Sequence, residues 1–385
     1  MDEKKKILIT GSLGYLGSAL TAYLQQRGLE CKGYDIGFFK DCQLYPARDL
    51  SVTIGDMRDF SEEYLDDVQV VIHLAAVSND PFGNLDAAKI YDPTRWYAVR
   101  LAKLCKARGI KFIFPSSCSV YGKGFDRYLD ESSPLDPQTP YSLNKWQIEE
   151  DLKALSSRDF SPIILRLATV FGLSPRMRFD LVVNMLAGMA VAEARIILNS
   201  DGKAWRPHVH IQDVCKAFYD AIHFQWQGDQ PLIVNVGDDE QNFQISSIAE
   251  MVQKRLPSSE IIYLPKIQHA PPTGDMDLVR DRKIQDGVDV RTYKVSFGLI
   301  KRTFKGFRCD WSVERGIARM IDELQRLGLS ASELKNVNYY RLQKIEYLYQ
   351  NKLITGDLRW PSRGYEKSHD EENPNSEFVP KKVSA

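Results

Sequence analysis

The chain has 385 residues, enough to bury a substantial core in two lobes with an appendage. Lysine plus arginine and aspartate plus glutamate both number 51, so the formal net charge is zero and no basic field argues for nucleic acid or an anionic membrane as partner. The start, Met1 to Lys6, runs into an apolar strand without the apolar core of a secretion signal, and no uninterrupted apolar run reaches membrane-spanning length; a cytoplasmic protein is expected. The six cysteines are scattered, with neither zinc-ligand spacing nor the density of a disulfide scaffold, so reduced thiols and no metal site are expected.

In chain order, the short strand Ile7-Leu8-Ile9 leads into Thr10-Gly11-Ser12-Leu13-Gly14-Tyr15-Leu16-Gly17 and then a helical stretch, Ser18 to Leu24. Glycines at this spacing let the backbone turn tightly, approach a pyrophosphate and pack helix on strand, while the helix N-terminus faces the negative charge. A second predicted strand, Cys31 to Asp35, ends on an acid about 20 residues further on, placed to accept hydrogen bonds from an adenosine ribose. Its carboxylate would repel a 2′-phosphate, so Asp35 favours NAD over NADP.

Strands and helices then alternate: a short strand at Ser51 to Ile54, a strand at Val68 to Leu74, a helix at about Arg95 to Ala107, and strands at Lys111 to Pro115 and Pro162 to Leu167. Such alternation implies an α/β Rossmann fold, a doubly wound parallel sheet. Beyond Gly172 a helix is read at Phe179 to Ala192, a strand at Ala194 to Leu198 and a helix at Ile245 to Leu256, which fits a smaller C-terminal substrate-binding lobe over the sheet edge where open α/β sheets take ligands. The expected division is 1–172 for the dinucleotide domain, with a returning segment near 205–245, then 173–330 for the substrate lobe. Helices at Ser312 to Leu327 and Tyr339 to Gln350 follow, the second in a helical extension over 331–360. The polar stretch 361–385 is expected to be disordered.

Tyr141-Ser142-Leu143-Asn144-Lys145 puts a tyrosine and a lysine on one helical face. An ammonium one turn away, together with a nicotinamide cation, would favour the phenolate and make Tyr141 a usable base. Upstream, Pro115-Ser116-Ser117-Cys118-Ser119-Val120-Tyr121-Gly122 supplies hydroxyls at the C-terminal edge of the sheet, where Ser117 could bond the substrate oxygen that Tyr141 deprotonates.

Over residues 5 to 325 these ordered motifs resemble the extended short-chain dehydrogenase/reductases, the NAD-dependent epimerase/dehydratase family acting on nucleotide sugars. The resemblance implies that Gly11, Leu13, Gly14, Tyr15, Leu16 and Gly17 form the cofactor turn, and that Asp35 is the ribose acid. Asp56 and Met57, in Gly55-Asp56-Met57-Arg58-Asp59, would line the adenine, and Leu74, Ala75 and Ala76 would pack along the cofactor. Ser117, Tyr141 and Lys145 take the places of the catalytic hydroxyl, the catalytic tyrosine and the lysine on the nicotinamide ribose. Arg206, in Trp205-Arg206-Pro207-His208, is similar to an arginine on the nucleotide pyrophosphate, and Arg291 to a second one, with a solvated charge as its other reading. His210 and Asp213 are assigned to structure. Ser117, Cys118, Ser119, Thr169 and Asn184 join the two arginines as candidate substrate contacts. A homodimer is implied by the resemblance alone.

Departures bear on the reaction. Thr94 and Thr169 stand where the family often has asparagine, and a hydroxyl reaches less far than an amide. The 4,6-dehydratases of the family place Asp-Glu after the catalytic hydroxyl, because eliminating water needs an acid and a base besides the tyrosine; this chain has Cys118-Ser119. Cys118 reads either as an acid/base group or as a small strand residue filling buried space, the latter preferred. The expected activity is a nucleotide-sugar epimerase passing through a transient keto-sugar. The alternatives are a keto-sugar reductase or dehydrogenase, and a catalytically silent NAD-binding scaffold or sensor.

Overall fold

The computed structural model describes residues 5–78, 87–264 and 291–361. The tail 362–385 and the whole loop from Ile267 to Val290 lie outside the described residues.

Seven parallel strands form the main sheet: β1 (Lys6–Thr10), β2 (Glu30–Asp35), β3 (Val52–Ile54), β4 (Val70–His73), β5 (Lys111–Ser117), β6 (Ile163–Leu167) and β7 (Leu232–Val236), in the order β3-β2-β1-β4-β5-β6-β7. The period-two geometry of β1 shows why both faces are covered. Ile7 and Ile9 pack with Leu20 and Leu24 of the helix Tyr15–Gln25, whereas Leu8 points the other way into a cluster with Val71, Phe112, Ala98 and Leu101. The order reverses between β1 and β4, so the ends of these two strands flank the crevice in which such sheets bind ligands.

Most elements lie where the sequence puts them, with ends displaced by a few residues. The first helix starts at Tyr15 rather than Ser18, with Gly14 as its N-cap, and the helix read from Arg95 begins at Asp92, where Pro93 occupies the first turn. Unforeseen is Lys123–Leu129, a strand paired in parallel with Thr292–Val295. It lacks a sequence signal because its partner is more than 160 residues away.

Outside the main sheet, Thr169–Phe171, Trp205–His210 and Asn242–Gln244 form a small sheet, and Arg195–Leu198 pairs with Glu260–Tyr263. The amphipathic helix Val313–Arg326 buries Val313, Ile317, Met320, Ile321 and Leu324 in the main core. After the short helix Ala331–Leu334, the helix Arg341–Gln350 does not join that core. It packs Ile345 and Leu348, with Ile354 and Leu358, against Phe38, Ile90 and Tyr91 beside Tyr141. Among the described residues no helix is long and apolar enough to cross a membrane.

Candidate active site

At the end of β1, Gly11 adopts a φ of +70°, and a Cβ there would lie 2.7 Å from the amide nitrogen of Ala75. At Gly17 a Cβ would lie 2.3 Å from the carbonyl oxygen of Gly11. Any side chain at either position forces the strand, the helix and β4 apart. Gly14 gives the helix no side-chain cap, which suits a terminus that receives a phosphate. Asp35 closes the turn from the far side: Leu13 N–H donates to one carboxylate oxygen at 3.0 Å and Gly37 N–H to the other at 2.7 Å. Burial holds its carboxyl above the usual range, opposed by those two amides and by the charges of Arg341 and Arg176. Each oxygen keeps a second lone pair for a ribose hydroxyl. The turn, the uncapped helix and the fixed acid fit the phosphates and adenosine ribose of NAD.

Leu74, Ala75 and Ala76 follow β4 and are half-buried along the same crevice. Behind them His73 shares a 2.8 Å hydrogen bond with Thr10 and is pushed down to about 3 by burial, so it is a neutral core group. Met57 is buried, but the Asp56 carboxylate is engaged by Arg58, with Nη2 at 2.5 Å and Nε at 2.9 Å. Arg58 in turn donates to the carbonyls of Asp357 and Leu358. The extension therefore reaches the edge at which the adenine is expected.

Ser117 ends β5 half-buried, its hydroxyl accepting from Ser119 N–H at 3.1 Å. Tyr141 stands in the first turn of the helix Pro140–Leu155, whose start is fixed by reciprocal hydrogen bonds between Thr139 and Ser142. Lys145, one turn on, donates to the carbonyl of Pro115 on β5 at 2.8 Å, and its Nζ lies 5.8 Å from the centre of the Tyr141 ring. This bond brings the tyrosine–lysine helix to the strand that carries Ser117. Below them a buried network locks helix to sheet. Arg166 forks onto Glu149 with Nη2 at 2.6 Å and Nε at 3.0 Å, Ser116 donates to Glu149, and Arg166 Nη1 donates to the Tyr121 hydroxyl, which donates to Asn235 at 2.9 Å.

Burial, opposed by Glu149 and reinforced by the charge of Arg341, pushes Lys145 down to about 7. Between that value and the ordinary lysine range the unfolded chain holds a proton that the folded chain has released. The ligand-free protein is thus expected to gain stability as pH rises through this window. Lys145→Met should flatten that rise in denaturant midpoints taken between pH 7 and pH 9; an unchanged slope would contradict it.

Several expected contacts need correction. Cys118 is 1 % exposed, and its thiol donates to the carbonyl of Arg166 at 3.3 Å, so it faces the core and not the crevice. Burial pushes that thiol well up, and Cys118 fills buried space at the turn after β5. Ser119 is buried as well. Asn184 is fully buried, with its carbonyl accepting from Gly172 N–H at 2.9 Å and its amide donating to the Arg178 carbonyl at 3.0 Å. It holds the 172–178 loop in shape and has no edge to offer a sugar. Tyr15 is used similarly, its hydroxyl donating to the Gly172 carbonyl at 2.7 Å.

Thr169 is half-buried at the start of its strand. Arg206 and Arg291 are brought together: the first donates to the carbonyl of the second and lies 5.2 Å from the centre of the Tyr293 ring. Arg291 is buried and is not a solvated charge. His210 caps the helix Ile211–His223 and stacks on Trp311 at 4.4 Å, while Asp213 accepts from the amides of Asp310 and Trp311. Thr94 donates to the carbonyl of Ile90 at 2.7 Å, a local helix bond.

The sequence reading passed over Arg176, Arg178 and Arg341. Arg178 forks onto Asp180 with both bonds at 2.8 Å, and its charge, like that of Arg341, acts on Tyr141. Two arginines and an aspartate within the apolar run Pro175 to Leu181 were a readable sign of a buried ionic cluster. Arg341 gave none, because periodicity identifies a helix and not its docking site.

A family model described as the NAD dependent epimerase/dehydratase family matches residues 7–237. The chain is 25% identical over 262 residues to a UDP-glucose 4-epimerase of Rhizobium meliloti (strain 1021), covering 61% of this chain and 77% of that protein. It is 24% identical over 271 residues to a dTDP-D-glucose 4,6-dehydratase of Dictyostelium discoideum, covering 63% and 60%. Among solved structures it is similar in fold to TunA, an NAD dependent NDP-hexosamine 5,6-dehydratase involved in tunicamycin biosynthesis, with a TM-score of 0.70 and 23% identity over 84% of this chain and 98% of the other.

Proposed function

The chain belongs to the NAD dependent epimerase/dehydratase family, an enzyme family of the extended short-chain dehydrogenase type with NAD as its cofactor, and we propose that within it this protein is a nucleotide-sugar epimerase. The observation that carries the choice is the position after Ser117. Cys118 is buried on Arg166, and Ser119 is buried beside it, so neither supplies the extra acid and base that loss of water from a sugar demands.

In this reading Tyr141 takes the proton from one sugar hydroxyl and later returns it. Ser117 holds the same oxygen by a hydrogen bond. Lys145, fixed on the Pro115 carbonyl one helical turn from the phenol, holds the nicotinamide ribose. NAD, held by the glycine turn, Asp35 and Lys145, would supply reversible hydride transfer at the carbinol carbon, so that the sugar could be re-reduced on its other face. Arg206 and Arg291, paired at the substrate lobe, bind the nucleotide diphosphate.

Binding comes before turnover in the test. Any nucleotide carried through purification is identified by mass spectrometry, and UDP, GDP, CDP and dTDP sugars are screened by thermal shift, where a ligand at a hundredfold excess over its dissociation constant adds about 2.7 kcal/mol of apparent stability. NAD retained by the protein and one nucleotide base strongly preferred are the expected results. Failure of every nucleotide sugar to bind would remove the reading.

A further inference from the structure

Outside the residues matched by the family model, the segment Arg341 to Trp360 lies along the cofactor crevice from one end to the other. At the adenosine end Trp360 donates to the carbonyl of Ile36, the residue after Asp35, at 2.6 Å, and its ring meets Phe38 edge-on at 5.4 Å. Arg58, held by Asp56, donates to the carbonyls of Asp357 and Leu358, and Arg359 pairs with Asp59. At the other end Ile345 and Leu348 share a cluster with Tyr141.

Arg341 stands between these ends. Its Nη1 donates to the carbonyl of Ser78, just beyond the Leu74-Ala75-Ala76 run, and its guanidinium lies 6.0 Å from the Phe39 ring, four residues past Asp35. The Arg176 guanidinium lies 4.3 Å from the same ring, and Arg176 lines a cavity with Ser12 and Leu13 of the glycine turn. Arg341 is 8 % exposed and Arg176 1 %. The Nε of Arg341 and the Nε and Nη2 of Arg176 are buried without a hydrogen-bond partner. Of the nearby carboxylates, Asp180 is forked onto Arg178 and Asp35 is held by two backbone amides. Burying guanidinium charge with unmade hydrogen bonds is costly, and the cost is lifted by an anion with several oxygens. The charge of Arg341 acts both on the acid expected on one ribose of the dinucleotide and on the lysine expected on the other, and the group that joins two riboses is a pyrophosphate.

We propose that the C-terminal segment 341–360 is a third wall of the dinucleotide site, with Arg341 donating to the cofactor pyrophosphate opposite the glycine turn. The proposal rests on the NAD site described above. A guanidinium matches two phosphate oxygens at once, and an ammonium acts there as a single point charge.

The test is calorimetric titration of the full chain, wild type, Arg341→Gln and Arg341→Lys, with NAD, ADP-ribose, adenosine and UDP-glucuronate, alongside unfolding of each unliganded protein. Wild-type binding of NAD tests the underlying site; the differences among variants test the wall. Arg341→Gln is expected to weaken NAD and ADP-ribose about 10- to 100-fold and leave adenosine unchanged. Arg341→Lys, which keeps the charge and the fold should the glutamine variant not be recovered, is expected to lose several-fold on the same two ligands and nothing on adenosine. Equal affinities for NAD and ADP-ribose in wild type and either variant would overturn the proposal. So would a loss confined to a carboxylate-bearing nucleotide sugar such as UDP-glucuronate, which would assign the guanidinium to substrate instead.

Discussion

Tyr141→Phe is expected to lower kcat by at least about 100-fold, the scale of one acid/base group, while NAD affinity stays within about twofold. The separation follows from where the ring sits. Phenylalanine keeps the packing against the Ile345 and Leu348 cluster and leaves untouched the Lys145 bond to Pro115, the glycine turn and Asp35. It removes the oxygen that, in the proposed reaction, exchanges a proton with the sugar. Turnover measured under saturating nucleotide sugar, with NAD binding measured separately, checks both halves. Near-normal turnover would take Tyr141 out of the reaction and favour a silent dinucleotide-binding protein. Parallel losses of turnover and NAD affinity would show that the hydroxyl serves the cofactor.

Glu149→Ala should be the most destabilising single change around the site, costing about 3–5 kcal/mol in denaturant unfolding. Glu149 is fully buried and the Arg166 side chain is 3 % exposed, so deleting the carboxylate strands a charged guanidinium and leaves the Ser116 hydroxyl without its acceptor. The pair ties the Tyr141 helix to β5 and β6, so the damage reaches the active site through misplacement of Lys145. Replacing both partners, as in Glu149→Leu with Arg166→Met, should recover much of the loss, because two matched apolar groups carry no desolvation cost. A single-variant loss below about 1 kcal/mol would show that water reaches the pair.

What the sequence disclosed about this fold was governed by local chemistry. The glycine turn, Asp35 and the Tyr141–Lys145 spacing are each set by backbone geometry within a strand, a turn or one helical face, and the structure brings them to one crevice. Depth was harder to read. Cys118 follows Ser117 and Asn184 follows the 172–178 loop, yet one faces the Arg166 carbonyl and the other the interior of that loop. Cys118 opens the turn after β5 and Asn184 lies in the helix Val182–Glu193, and resemblance alone does not fix which polar group is spent on backbone. The contribution of residues 341–360 was beyond reach for a different reason. Its amphipathic pattern specified a helix, but its partners, Ile36, Phe38, Arg58 and Ser78, lie more than 260 residues earlier.

The measurement that bears most directly on the proposed reaction follows sugar stereochemistry by NMR together with the oxidation state of the cofactor, using the purified protein, catalytic NAD and the nucleotide sugar chosen by the binding screen. An epimerase recovers its hydride in every cycle, so the account predicts inversion at a carbon bearing a hydroxyl, with no net change in nicotinamide absorbance and no need for added reduced cofactor. For inversion at the oxidised carbon itself, no solvent deuterium should enter; deuterium would appear only if the inverted centre lies next to the transient ketone. Stoichiometric oxidation of NADH or NADPH coupled to loss of a keto-sugar, or release of water to give a deoxy keto-sugar, would contradict the epimerase assignment.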